Sequence, residues 1–180
     1  MNQYVALLRG MNLGGRRIKN DELRNEFVTL GFADVACFRA SGNVVFGSDQ
    51  SDETQLTARI EAGLGEALGY QVPVFLRSAA ELRAVAARQA FDAPLVAASK
   101  GKPQVAFLLE SPAKKSREQA LGLGSDEDRL AIEGRELYWL PSGGISESDL
   151  DLKAIESILG SWTMRTKGTI DQIAAKHFAN

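Results

Sequence analysis

The residues from Arg9 to Gly15 (Arg-Gly-Met-Asn-Leu-Gly-Gly) combine two features that hold an anion: glycines that let backbone N–H groups approach closely, and a guanidinium. The stretch follows an apolar run and leads into a helical pattern. Its unpaired amides and the helix dipole therefore both favour negative charge. Arg16 and Arg17 extend it, and residues 1–20 hold Arg9, Arg16, Arg17 and Lys19 without a single acid. A second polar segment, Arg39-Ala40-Ser41-Gly42-Asn43, supplies another guanidinium, a hydroxyl and an amide. Guanidinium forks match phosphate and carboxylate geometry. Arg9 and Arg39 are thus candidates to pair with an anion, Asn12, Gly14 and Gly15 to offer amide donors, and Ser41 and Asn43 to orient it. A Gly-rich turn before a helix is equally a plain tight turn with solvated arginines, and that reading stands beside the first.

Better-known chemistries fall away. Gly10 and Gly15 have the spacing of a phosphate-binding P-loop, but Arg16 and Arg17 replace its Lys and Ser/Thr, so no hydroxyl is placed to hold magnesium. Gly122-Leu123-Gly124 lacks the third glycine and the preceding strand of a dinucleotide fingerprint. The chain has one histidine, His177, and one cysteine, Cys37, which argues against a structural zinc site and excludes an internal disulfide. His177, near Phe178 and the terminus, reads as a surface or packing residue. Cys37 alternates with Val35 and reads as a core thiol. Trp139 and Trp162 read as core or inter-lobe anchors. Glu147, Asp149, Asp151 and Glu156 read as the solvated start of a helix, where acids complement the dipole. No metal and no cofactor is expected. No pair of residues forms an acid/base or nucleophile set, so the sequence leaves open whether the chain is an enzyme.

The elements that must position these residues follow from periodicity. Tyr4 to Leu8 is a strand buried on both faces. Leu23, Phe27 and Leu30 mark a helix that Asn20 or Asp21 can cap and Gly31 can end. Val35 to Phe38 and Val44 to Phe46 are strands joined by the turn chemistry of Ser41-Gly42-Asn43. Leu56, Ile60, Leu64 and Leu68 form the stripe of a second helix, started by Asp52 with Gln55 and closed by Gly69. Val72 to Leu76 is a fourth strand, and Pro73 within it suits only an edge. The order βαββαβ is the ferredoxin-like arrangement, in which the fourth strand lies at an edge beside the first. In that arrangement the first two strands run parallel with the third antiparallel between them. The Arg9–Gly15 loop and the Arg39–Asn43 turn must then share one end of the sheet.

Ser78-x-x-Glu81 is a capping box opening a connecting helix. Asp92 to Pro103 has no period and reads as a linker. Val105 to Leu109 is a strand, Ser111-Pro112 a helix start, and Leu130–Ile132 with Leu137–Leu140 a hairpin around Glu133-Gly134-Arg135. Leu152, Ile155, Ile158 and Leu159 mark a helix closed by Gly160, and a last helix runs from about Thr169. The expected fold is α+β, a duplicated ferredoxin-like chain with a βαββαβ lobe over 1–77, a connecting helix and linker over 78–103, and a βαββα lobe with C-terminal helices over 104–180.

At 180 residues, 44% apolar and 24% charged, the composition is that of a globular protein able to bury its own core. A net charge of −2 argues against strong non-specific nucleic-acid binding. The N-terminus lacks a signal-peptide pattern and no apolar run approaches a membrane span, so a cytoplasmic location without a membrane partner is expected.

Leu7-Leu8-Arg9-Gly10-Met11-Asn12-Leu13-Gly14-Gly15, then Leu23, Gly31-Phe32 and Ser41-Gly42-Asn43-Val44-Val45-Phe46, resemble the signature of the bacterial domain of unknown function 1697 family. The resemblance extends over essentially the whole chain and implies the same duplicated ferredoxin-like architecture. It brings no established activity. Members tend to carry Thr-x-Arg-Asn-Trp-x-Thr before the last helix. Here Thr163, Arg165 and Thr169 are kept, while Thr166 and Lys167 stand for the Asn and Trp. A family Ser-Lys-Leu element reads Ser148-Asp149-Leu150. The resemblance adds Arg165 to the candidate set, closing the site from the other lobe.

The leading expectation is therefore a binding module, or an enzyme of unknown type, for a small anionic ligand such as a nucleotide or phosphorylated metabolite. A second is single-stranded nucleic-acid binding on a sheet face, for which Tyr4 and Phe46 are the available aromatics. A third is a structural or protein-interaction role. The oligomeric state is not encoded in any recognisable pattern.

Overall fold

The apolar run near the N-terminus is a strand, β1 (Asn2–Leu8), and it is the centre of the first sheet. The computed structural model describes residues 1–11, 14, 17–39 and 42–179. β1 pairs antiparallel with β3 (Asn43–Ser48) on one side and β4 (Val74–Ser78) on the other, and β2 (Ala33–Cys37) pairs antiparallel with β3. The order is β2-β3-β1-β4. β1 and β2 are consequently parallel to each other, with β3 running back between them.

Two helices cover one face. Tyr4, Ala6 and Leu8 alternate toward them, joining Val44, Phe46, Val74 and Leu76 in a core with Leu23 and Phe27 of α1 (Asn20–Thr29) and Leu56, Ile60 and Leu64 of α2 (Glu53–Leu68). Truncating any one of these leucines costs about 2–5 kcal/mol through lost transfer energy and the cavity left behind. Val5, Leu7 and Phe75 on the opposite face are buried too, which is why β1 reads as a continuous apolar run instead of an alternating one.

Local chemistry sets the helix ends. Asp52 caps α2 by accepting from the amides of Thr54 (2.9 Å) and Gln55 (3.1 Å). The start of α1 differs from the expectation: Lys19, not Asn20 or Asp21, is the N-cap residue. The Glu22 carboxylate turns back to accept from the Lys19 amide (3.0 Å), which moves the first turn one residue earlier. Pro73 lies just before β4 instead of within it, so the ladder loses no donor to it. The Ser78–Glu81 capping box forms as read, Ser78 Oγ accepting from the Glu81 amide (3.3 Å) and Glu81 from the Ser78 amide (2.8 Å), and opens α3 (Ala79–Ala87).

The second sheet has the order β6-β7-β5-β8, all antiparallel, built from β5 (Gln104–Leu108), β6 (Asp128–Glu133), β7 (Glu136–Pro141) and β8 (Trp162–Thr166). Ala106, Leu108, Leu137 and Trp162 pack with Ala120 of α5 (Lys114–Leu121) and Ile155 of α6 (Leu152–Leu159). Asp151 caps α6 by accepting from the Ala154 amide (2.9 Å), which places that acid at a helix start. Three expectations are corrected here. The βαββα reading gives no element between Gly160 and the last helix, and β8 is a fourth strand there, so the second half reads βαββαβ before its last helix. It is short and passes into α7 (Lys167–His177) with no intervening turn residue, so no punctuation marks it. The supposed linker contains a one-and-a-half-turn helix, α4 (Ala93–Ala98), too short to display a period. α5 starts at Lys114 because Ala113 is still extended (φ −59°, ψ 154°), which leaves Ser111 and Pro112 outside the helix.

The chain divides into two compact units, Met1–Ala84 with Ile173–Asn180, and Val85–Gln172. No helix among the described residues is long and apolar enough to cross a membrane.

Candidate functional site

Three segments meet where β1 ends. The Leu8 amide donates to the Gly42 carbonyl (2.8 Å), tying the strand to the β2–β3 turn, and the Arg9 amide donates to the Pro73 carbonyl (3.0 Å), tying it to the segment before β4. The turn is closed by a pair of bonds, Phe38 N–H to Asn43 O (2.9 Å) and Asn43 Nδ2 to Phe38 O (3.1 Å). Asn43 is 1% exposed and stands opposite Leu7, so this amide shapes the turn from inside. The described ends of the two loops, Leu8–Arg9 and Gly42–Asn43, lie at one end of the sheet.

The backbone explains the glycines. Gly42 has φ +69°, and a Cβ there would lie 3.0 Å from both Leu8 Cβ and Met11 Cγ, so only glycine permits the turn to seat on the loop. Gly10 (φ +75°) and Gly14 (φ +60°) are also left-handed, and no atom of the described residues lies within 4 Å of where their Cβ atoms would stand. Both glycines hold a backbone conformation that L side chains resist. Arg39 holds a left-handed φ of +58° although it is not glycine, with its guanidinium 5.6 Å from the Phe38 ring centroid. Arg9 is half-buried, and Arg17 and Arg39 are exposed. Met11 is buried and joins the core, anchoring the loop from below. Asn12, Gly15, Arg16 and Ser41 lie outside the described residues.

Arg165 belongs to the second unit. It sits on β8 opposite Val105, and its Nη1 donates to Thr163 Oγ1 and to the Met164 carbonyl, both at 2.8 Å. Burial lowers its pKa to about 10, so it stays cationic at neutral pH. The neighbouring threonines have local partners: Thr166 Oγ1 accepts from the Thr169 amide (3.2 Å) and lies 2.9 Å from Thr169 Oγ1, starting α7. Ser148 donates to the buried Asp128 carboxylate (2.7 Å), which also accepts from Trp139 Nε1 (2.8 Å).

One residue was missed in the sequence. Arg77 is 1% exposed on β4, opposite Val5, and its Nη1 donates to the Leu76 carbonyl (2.7 Å). The signal for it was the likeness of Val-Phe-Leu-Arg-Ser (74–78) to Trp-Thr-Met-Arg-Thr (162–166), each running straight into a helix.

Other candidate groups are quiet. The Cys37 thiol donates to the Asn20 carbonyl (3.4 Å), and burial pushes its pKa up to about 11, which removes it as a nucleophile at neutral pH. His177 meets the Phe38 ring edge-on at 6.1 Å, and burial followed by the Lys176 charge lowers its pKa. Tyr4 and Phe46 stack on each other within the first core (5.7 Å between centroids), so the aromatics that a base-stacking surface needs are not on a surface. Among the described residues no group of three His, Cys, Asp or Glu is placed to hold a metal ion.

Known proteins resemble the chain in fold and in family. A solved structure described as that of the conserved bacterial protein SP0830 from Streptococcus pneumoniae has a TM-score of 0.72, covers 97% of each chain and is 22% identical, which establishes a shared fold. No curated protein matches the sequence. The family described as "Protein of unknown function (DUF1697)" matches residues 1–138. This match takes in β1, the loop after it, the β2–β3 turn and more than half of the second sheet, and on it the chain belongs to the DUF1697 family.

Proposed function

We propose that the chain binds a small anionic ligand, a nucleotide or a phosphorylated metabolite, at the end of β1. The observation that carries this reading is the pairing of two left-handed glycines, Gly10 and Gly14, with arginines at the same end of one sheet, Arg9 following β1 and Arg39 following β2. Asn12, Gly15 and Ser41 join the proposed site through their places in the sequence. The reading rests on the first unit alone and gives no role to Arg165.

An anion held this way is recognised by backbone amides and guanidinium forks, with no metal required. Amide NMR with added pyrophosphate tests it. Saturable shifts at Gly10, Gly14, Arg39 and Gly42 are expected, and their absence at millimolar ligand contradicts the site.

The finer fold reading belongs here as well. We read the two sheets as a duplicated ferredoxin-like unit, with lobes at 1–77 and 104–180 around a connecting stretch at 78–103. Supporting it are the matching strand orders and the matching registers: Leu8 opposite Val74 and Val5 opposite Arg77, against Leu108 opposite Trp162 and Val105 opposite Arg165.

A further inference from the structure

The second unit contains a helix with no core beneath it. α4 reads Ala-Pro-Leu-Val-Ala-Ala, six residues without a polar side chain, and none of them is buried; Val96 is 38% exposed. Burying a valine or leucine is worth about 1.5–3 kcal/mol, so a wholly apolar helix that forgoes burial leaves that energy available to a ligand. Beside it is a cavity of about 360 Å³, lined by Ala93, Val96 and Ala97 of α4, by Phe91 and Pro103, and by the buried Tyr138 of β7. Its volume falls within the range of about 300–1,000 Å³ found for small-molecule sites.

The charged groups of the lining have one sign, beside the neutral amides of Gln89 and Gln104. Its charged residues are Arg88 and Lys167, and no acid lines it. Each cation is braced by a neighbour. Arg88 Nη2 lies 2.6 Å from Glu133 Oε2, and Lys167 Nζ donates to the Ala86 carbonyl (2.6 Å) and to Asp171 Oδ1 (2.5 Å). An ammonium has three N–H donors and a guanidinium five, so each pairing leaves donors over. An apolar wall beside two cations that keep spare donors is complementary to an amphiphilic anion.

We infer that this cavity is a binding site for a small organic carboxylate with an aromatic or branched aliphatic body. The body lies against Phe91, Val96, Pro103 and Tyr138, and the carboxylate takes the remaining donors of Lys167 and Arg88. The site is in the second unit and is independent of the loop after β1.

Amide NMR titration with 3-phenylpropionate, and in parallel with the uncharged 3-phenylpropionamide, tests both halves of the assignment. Saturable shifts at Phe91, Val96 and Lys167 are expected, with the amide binding at least tenfold more weakly. Ala97→Trp, on the exposed helix and so without cost to the core, is expected to abolish them by filling the cavity. Lys167→Gln is expected to bring the acid down to the affinity of the amide. No shift at these positions, equal affinity for acid and amide, or unchanged binding in Ala97→Trp overturns the assignment. In the equal-affinity case the cavity takes neutral apolar molecules instead.

Discussion

Arg77 and Arg165 hold the same place in two different sheets. Each is on the edge strand beside the first strand of its sheet, Arg77 opposite Val5 and Arg165 opposite Val105, and each donates to the carbonyl of the residue before it, Leu76 or Met164. Burying a guanidinium is costly unless its donors are satisfied, and here the strand backbone satisfies part of the fork. Arg77→Met and Arg165→Met are expected to destabilise by about 1–3 kcal/mol, because the accepting carbonyls lose a charged donor. Arg→Lys at either place should recover little, since an ammonium lacks the fork. Urea unfolding of the four variants measures this.

Gly42 and Gly14 have similar φ values and different surroundings, so their alanine variants should separate strain from crowding. Gly14→Ala carries the left-handed penalty, about 1 kcal/mol, with no described atom close to the added methyl. Gly42→Ala adds contacts of 3.0 Å to Leu8 and Met11 and should cost about 2–4 kcal/mol. The difference between their thermal unfolding midpoints is the readout, and equal values would refute the close seating of turn on loop.

Much of this is legible in the amino-acid sequence alone. The order of strands around β1 followed from the βαββαβ pattern, and the caps at Asp52 and Ser78 and the turn at Gly134 were plain because the chemistry is local: a short side chain or a glycine at a fixed offset. β8 was not legible. Thr166 ends the strand and Lys167 begins the helix, so no glycine, proline or loop separates two periods that are each too short to stand out. Arg77 was passed over for a related reason: an arginine in an edge strand reads as facing water, and its burial is a matter of packing that periodicity does not show. Periodicity is equally silent on the cavity beside α4, because a void is a property of packing.

Cys37 should resist alkylation in the folded protein. With its pKa near 11, little thiolate is present at neutral pH, and iodoacetamide should react only as the chain unfolds. A folded pKa raised above the ordinary thiol value of about 8.5 contributes stability that is complete below that pH and is lost as the pH rises toward 11. Cys37→Ala should flatten that alkaline decline.

His177 is the single histidine, so its imidazole signal needs no assignment. Its folded pKa is lowered, first by burial and then by Lys176. The stability it contributes is therefore present above the unfolded value of about 6.5 and is lost as the pH falls through the lower folded value. Proton NMR should give a midpoint below 6.5, and His177→Phe should remove the corresponding acid-side slope.

The account rests on the loop after β1 as an anion site, and thermal unfolding of the wild-type chain and of Arg9→Ala against nucleotides, sugar phosphates, pyrophosphate and chloride tests it most directly. Saturating a site at about 100 times Kd stabilises by about 2.7 kcal/mol, a shift of several degrees for a chain of this length. The account predicts such a shift for at least one phosphorylated compound, absent with chloride and lost in Arg9→Ala. No shift with any compound, or an equal shift in the variant, would contradict it.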